Sequence, residues 1–333
     1  MLRALNLALQ GQSLTRAEAA QMMDDLLAGT ATPEQAGAML AALRLKSESV
    51  DEIVGFVQSL QKQARPIPHQ FKDLIDVCGT GGDGTGTFNI STTVSFVVAA
   101  AGQPTAKHGN RSVSSKSGSF DVLQALNLLP SEDPTQITSS ITRFGLGLIF
   151  APAFHPVLKK VSVLRRNLGV YTVFNILGPL LNPMAVKRQV IGVYQAGLLE
   201  KMTLVLREIG HDEAMVVHGH GGLDEFSISG PTQISHLKNG NIKNYTMTPE
   251  DAGLPRAPVT ELTGGTAEEN AEILLRILAG EKGPKRDVVL LNAAAALVVG
   301  GKARDFKDGV RLATETIESG RALETLNRMR NAQ

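Results

Sequence analysis

The sequence predicts an α/β protein with a largely parallel sheet, preceded by a run of helices. Three observations carry this expectation. From residue 74 onward, short apolar runs of strand length alternate with helical segments, the pattern of a parallel sheet covered by helices. Residues 1–65 read only as short helices. Between the two, a strand runs into a glycine loop and then into an apolar helix, an arrangement that suits anion binding.

Taken in order, Thr15-x-x-Glu18, Thr32-Pro33-x-Gln35 and Ser49-x-x-Glu52 are capping boxes, each marking a helix start. Ile53, Val54, Val57 and Leu60 share one face of the last of these helices. A helical segment this short has too little core to stand alone. It is expected to pack on the rest of the chain or on a second copy. Pro66 and Pro68 form a linker. Strands are expected at 74–78, 147–150, 189–194 and 213–217, and helices from Asn89, from Asp133-Pro134 and over 198–209. Residues 107–119 read as a polar loop. Residues 226–229 and 232–245 read as a small antiparallel excursion with Asn239-Gly240 as its turn. Thr266-x-x-Glu269 opens another helix, and 286–300 and 306–329 are expected to cover the sheet as helices.

The chain has 333 residues, 43% of them hydrophobic, enough for one large domain and a small one. Its formal charge of +1 argues against a nucleic-acid or membrane protein held by bulk charge. Cys78 is the only cysteine, so no internal disulfide forms, which fits a reducing cytoplasm. Cys78 ends an apolar strand and reads as a small buried hydrophobe rather than a nucleophile. The N-terminus lacks a secretion-signal pattern. The apolar runs at 94–101 and 288–299 fall short of the ~20 residues needed to span a bilayer.

Residues 76–121 carry the chemistry. Gly79, Gly81, Gly82, Gly84 and Gly86 let backbone N–H groups close on a bulky anion. The helix start at Asn89, Ser91 and Thr92 adds free N–H groups and the positive end of a dipole. Lys107 and Arg111 add full charges, and the hydroxyls can ligate a hard cation. Together they describe a phosphate cradle with a metal nearby. Gly79-x-Gly81-x-x-Gly84 also matches the dinucleotide fingerprint. Against that reading, Asp83 sits inside the loop, the helix starts too late, and no acid lies between Asn89 and Lys107.

The segments GTGGDG, TFNIST, KHGNRSVSSKSGS, FNILGPLLNP and GLDE resemble the anthranilate phosphoribosyltransferase family. The motifs run from about residue 76 to 225, and the resemblance in layout covers the whole length. It implies a nucleoside phosphorylase/phosphoribosyltransferase-like architecture. Residues 1–65 with about 169–187 would make a small all-helical domain, and residues 70–168 and 188–333 a large α/β domain. The cleft would lie between them. It also implies a homodimer paired through the helical domain, no nucleic-acid or membrane partner, and a cytoplasmic enzyme of tryptophan biosynthesis. The substrates would be anthranilate and phosphoribosyl diphosphate, with Mg²⁺ as cofactor, two ions per subunit.

Residue by residue, the resemblance assigns phosphoribosyl diphosphate to Gly79, Gly82, Asp83, Thr87, Asn89, Ile90, Ser91, Thr92, Lys107, His108, Gly109, Asn110, Arg111, Ser112, Val113, Ser114, Ser115 and Ser119. Anthranilate falls to Gly79, Asn110, Arg165 and Pro179, with residues 174–179 as an apolar wall. A guanidinium matches a carboxylate with two parallel hydrogen bonds. Arg166 is the neighbouring candidate, and the spacing to Gly169 favours Arg165. Ser91, Asp224 and Glu225 would hold the metal. Adjacent acids in a loop are commonly just solvated, but beside a phosphate cradle one or two carboxylates suffice for Mg²⁺. His108 is a candidate for proton removal or for polarising the aromatic substrate. His218-x-His220 could pair on zinc, with no third ligand in view. Phe120, Asn167 and the His218-Gly219-His220-Gly221-Gly222 loop depart from the family pattern. Two rivals remain: a pyrimidine nucleoside phosphorylase of the same fold, and a nucleic-acid-binding relative.

Overall fold

The computed structural model describes residues 1–111 and 116–332. Four helices come first: α1 (Leu2–Leu9), α2 (Arg16–Ala28), α3 (Pro33–Lys46) and α4 (Val50–Lys62). All three expected capping boxes form at Thr15, Thr32 and Ser49. Glu52 does more than cap. It is fully buried, takes an ion pair from Lys46 at 2.6 Å and accepts from Leu14 N at 2.9 Å, locking the α1–α2 connection onto α4.

Next come β1 (Ile75–Gly79), α5 (Ile90–Ala100), β2 (Thr105–Gly109), α6 (Ser119–Ala125), α7 (Pro134–Phe144), β3 (Leu146–Phe150), α8 (Ala151–Phe154), α9 (Lys159–Leu168) and α10 (Phe174–Leu177). The chain continues through β4 (Arg188–Gly192), α11 (Leu199–Glu208), β5 (Glu213–His218), β6 (Thr232–Lys238) and β7 (Asn241–Met247). It closes with α12 (Ala267–Leu278), α13 (Pro284–Val299), α14 (Phe306–Glu318) and α15 (Arg321–Arg330). The expected single helix at 306–329 is thus two helices, interrupted at Ser319 and Gly320.

The strands form one sheet in the order β3-β2-β1-β4-β5-β6-β7. The first five are mutually parallel, while β6 and β7 add antiparallel. Asn239 and Gly240 turn the β6–β7 hairpin, both at positive φ as a two-residue turn of this kind demands. Residues 226–229 are not a strand.

One correction matters for the site. Lys107 and His108 were expected in a polar loop, but they lie on β2 and are buried. A lysine and a histidine break the apolar run by which a central strand is read. Lys107 is tolerated there because its Nζ donates to Val77 O and Ser91 Oγ with Asp76 and Glu225 nearby, and His108 because burial keeps its ring neutral.

Two large cores flank the sheet, beside a smaller one under α7 that includes Ile137, Ile141 and Ile149. One packs α5 and α12–α15 on one face. The other joins α1–α4 with Val161, Val173, Phe174 and Leu177, and with α11, β4 and β5. The N-terminal helices therefore complete their core on this same chain. Lys159–Leu168 joins this helical layer too, upstream of the 169–187 segment expected from the sequence.

Candidate active site

In an open α/β sheet, ligands sit beyond the carboxyl ends of the strands where the strand order reverses. Here that point lies between β1 and β4. A cleft of about 430 Å³ opens there, lined by the end of β1, the glycine loop, the start of α5, the end of β2, and residues from α9 and α10.

The cleft gathers most of the expected residues. Gly79, Gly82, Asp83, Thr87, Asn89, Ile90, Ser91, Lys107, His108, Gly109, Asn110, Arg111 and Ser119 all line it, as do Arg165, Pro179, Asp224 and Glu225. Thr92 does not. It is fully buried one helical step behind Ser91, and its Oγ1 has no hydrogen-bond partner among the described residues. Ser112, Val113, Ser114 and Ser115 lie outside the described residues. Of the expected apolar wall, Phe174, Asn175, Leu177, Gly178 and Pro179 face the cleft, while Ile176 is buried in the helical core.

Asp224 and Glu225 enter between β1 and β4. Asp224 Oδ2 accepts from Gly81 N at 2.7 Å, and a Cβ on Gly79 would collide with the same oxygen, so only glycine admits the acid here. Both carboxyls are pushed well above the usual carboxylate range, first by burial and then by negative neighbours: Asp83 for Asp224, and Asp224 with Asp83 for Glu225. Lys107 works against this for Glu225. Its Nζ donates to Val77 O at 2.7 Å and to Ser91 Oγ at 3.2 Å. One buried cation thus faces several carboxyls, and that surplus of negative charge fits a divalent cation. The Ser91 N–H stands near enough to Glu225 to pull its pKa down, which brings the three expected metal residues together. No three His, Cys, Asp or Glu side chains converge into a closed cage among the described residues. Mg²⁺ does not require one, since phosphate oxygens and waters complete its shell. No third ligand joins His218 and His220 among the described residues, which counts against the zinc pair.

On the other wall, Arg165 lies 5.2 Å over the Phe174 ring. Burial alone lowers its pKa, with no carboxylate partner among the described residues. Arg166 is exposed and does not line the cleft.

His108 is buried, edge-on to His155 at 5.6 Å, with the Gly178 backbone near enough to act on its pKa. Burial pushes its pKa down to about 3, so the ring is neutral at pH 7. Cys78 is held as a thiol by burial and by Asp76.

The departures from the family pattern are absorbed locally. Phe120 packs on Phe150 at 5.1 Å behind Gly109, and Ser119 still reaches the cleft. The His218–Gly222 loop closes on itself through Gly219 N to Leu223 O at 2.8 Å, so Asp224 follows directly from a pinned turn. Asn167 is exposed on α9.

Sequence reasoning missed a set of buried amides. Asn270 on α12 donates to Asn89 Oδ1 at 2.9 Å and Ser117 Oγ at 2.8 Å, which accounts for Asn89 not capping its own helix. Asn292 on α13 accepts from Phe226 N at 2.9 Å and donates to Phe226 O at 3.1 Å, clamping the backbone beside the acid pair. Asn182 donates to Asp76 at 3.0 Å and to Ala106 O at 2.9 Å, and Gln189 donates to Pro179 O at 2.7 Å. These four fasten the cleft walls to the sheet. Buried Asn in a helix interior is the one sequence signal that could have flagged Asn270 and Asn292.

The fold and cleft are those of a glycosyl-transfer enzyme. The glycosyl transferase family matches in two parts, its helical bundle domain over residues 3–64 and its a/b domain over residues 71–323. The anthranilate phosphoribosyltransferase of Rhodopseudomonas palustris (strain HaA2) is 49% identical over 319 residues, 96% of this chain and 94% of that one. That of Moorella thermoacetica is 48% identical over 330 residues, 99% and 97%. The chain belongs to the anthranilate phosphoribosyltransferase family. Among solved structures, the Thermus thermophilus enzyme superposes with a TM-score of 0.93 at 40% identity, covering 98% of each chain. The Saccharomyces cerevisiae enzyme in complex with phosphoribosyl diphosphate and Mg superposes with a TM-score of 0.89 at 26% identity, over 100% of this chain and 98% of that one.

Proposed function

We propose that this protein transfers the phosphoribosyl group of phosphoribosyl diphosphate to the amine of anthranilate. The products are N-(phosphoribosyl)anthranilate and pyrophosphate, in tryptophan biosynthesis. One observation carries the reading: a single cleft sets an anion-binding glycine loop and a buried acid pair against an arginine with no carboxylate partner among the described residues. The first two suit a charged diphosphate, and the last suits an aromatic carboxylate.

Ser91, Asp224 and Glu225 hold Mg²⁺, with two ions per subunit. When bound, the metal neutralises charge building on the departing diphosphate. The chain's own groups do the rest. Glycine-loop N–H groups and the α5 start donate to phosphate oxygens. Arg165, Phe174 and Pro179 hold the aromatic acid so that its amine meets the ribose carbon, and positioning supplies much of the rate. A neutral His108 with a pKa of about 3 is a weak base at pH 7. We assign it to holding the Gly178 carbonyl and polarising the aromatic substrate. The test is loss of anthranilate fluorescence on adding phosphoribosyl diphosphate with Mg²⁺. No loss at any Mg²⁺ concentration rejects the reading.

Lys107 serves two ends, and its removal is expected to show both. Lys107→Ala takes away the buried cation that lowers the pKa of Glu225 and Asp76 and leaves Val77 O without its donor, and a buried group left unsatisfied costs about 1–3 kcal/mol. Thermal melting is expected to fall, and calorimetry is expected to show weaker diphosphate binding with Mg²⁺. An unchanged melting temperature would mean the ammonium is not compensating the acids.

The working form is a homodimer through the helical layer, in the cytoplasm. Leu2, Leu9 and Leu45 are exposed there, Leu45 at 87%. Leu2 and Leu9 lie on α1 and Leu45 on α3, two helices that pack on each other, and this reading assigns the partner to that layer. Among the described residues, no helix is long and apolar enough to cross a membrane. Deleting α1–α4 would strip a shared core, so a point change is the cleaner test. Leu45→Asp is expected to shift a dimer toward monomer in sedimentation at micromolar concentration. A wild-type monomer under those conditions contradicts the proposal.

A further inference from the structure

We propose that Tyr171 is a positioning residue for the diphosphate-binding glycine loop, and the point through which the helical layer acts on that loop. The inference rests on the reading above of this loop as the diphosphate site.

Three consecutive loop residues are each held by a different part of the molecule. Thr80 is held by the end of β4 and the residues after it: its N–H donates to Gly192 O at 2.9 Å, and its Oγ1 accepts from Tyr194 N at 3.2 Å. Gly81 is held by Asp224. Gly82 is held by Tyr171, whose hydroxyl donates to the Gly82 carbonyl at 2.9 Å. Of these tethers only the last comes from the helical side. Tyr171 follows α9, and Arg44 of α3 places its guanidinium 5.8 Å from the ring centroid. The ring also stacks on Tyr194 at 5.3 Å and 18°. Arg44, Tyr171, Tyr194 and the loop therefore form one continuous chain of contacts from α3 to the diphosphate site.

The contact is built rather than incidental. Gly82 has φ of +80°, and a Cβ there would lie 2.8 Å from the Tyr171 hydroxyl, so a glycine is needed both for the backbone and for the approach of the ring. Tyr171 is 37% exposed, so it is not a core-filling residue. Drawing the Gly82 carbonyl toward a phenol keeps a negative dipole end away from phosphate oxygens that it would repel. It also removes freedom that the loop would otherwise lose on binding.

The experiment uses the full-length protein with phosphoribosyl diphosphate and Mg²⁺ in calorimetric titration, beside steady-state kinetics in both substrates. Tyr171→Phe keeps the ring and its stack and loses only the hydroxyl. It is expected to weaken diphosphate binding about two- to twelve-fold, the range for one neutral hydrogen bond. The anthranilate KM and the melting temperature should hold. Tyr171→Ala should lose more, and Arg44→Gln should lose less, in the same direction. Wild-type diphosphate affinity in Tyr171→Phe overturns the tether. Equal losses for both substrates with a lowered melting temperature also overturn it, because they mark a general structural role. If the wild-type protein binds no diphosphate, the reading of the cleft falls and the tether with it. Binding by wild type with no change in Tyr171→Phe removes the tether alone.

Discussion

Asp224→Asn combined with Glu225→Gln is expected to lower turnover by more than about 100-fold while leaving the protein folded. A metal ion that neutralises a leaving group is worth several kcal/mol of transition-state stabilisation, and each 1.36 kcal/mol is a factor of about ten. The fold should survive because the amides can still accept from Gly81 N and Ser91 N, and Lys107 keeps Asp76 as a partner. The sign of the stability change is also expected. Both acids have folded-state pKa values raised above their unfolded values. Such groups favour the folded state below the unfolded pKa, and that advantage is lost as pH rises through the folded pKa. Without Mg²⁺, the wild-type melting temperature should therefore fall toward alkaline pH more steeply than that of the double variant. Scanning calorimetry at several pH values, with kinetics at saturating Mg²⁺, checks both parts. Near-wild-type turnover in the double variant removes the metal assignment.

Arg165→Ala is expected to lower kcat/KM for anthranilate roughly 10- to 150-fold, the loss of a charge-assisted pair at about 1.5–3 kcal/mol. The guanidinium is partly desolvated already and has no carboxylate partner among the described residues, so a substrate carboxylate would meet no internal competitor there. Arg165→Lys should recover only part of the loss, because an ammonium keeps the charge without the planar fork. Its stack on Phe174 goes as well. Diphosphate binding should change little in either variant. An Arg165→Ala protein that loses diphosphate affinity and keeps its anthranilate KM has this arginine on the wrong substrate. Calorimetry with phosphoribosyl diphosphate, beside kinetics in anthranilate, distinguishes the two.

Much of this protein was legible without its structure, and the legible parts share a cause. Capping boxes at Thr15, Thr32, Ser49 and Thr266 close within three residues, so the signal and the structure occupy the same short window. The Asn239-Gly240 turn is equally local. The glycine loop could be read as an anion cradle from residue type, since such a cradle needs open backbone, whereas the KHGNR string and the acid pair took their roles from the family resemblance.

Legible in the sequence were most of the elements, their local caps and turns, and the family motifs that gather in the cleft; strand β2, the break at Ser319 and Gly320, and the lack of a strand at 226–229 were not. The tertiary structure alone decided which of those residues became buried and what they answer to. It moved Lys107 and His108 from a loop onto a central strand, and it sank Thr92 behind Ser91. It completed the core of α1–α4 on this chain with α11, β4 and β5. It paired Asn89 with Asn270 and the acid-pair backbone with Asn292, and it set Tyr171 against Gly82. Those partners stand 181, 66 and 89 residues apart, with nothing in their own neighbourhoods to announce them. A local pattern reports only interactions that close within a few residues. Burial of a charge or an amide depends on a partner brought from across the chain, and that is settled only when the sheet assembles.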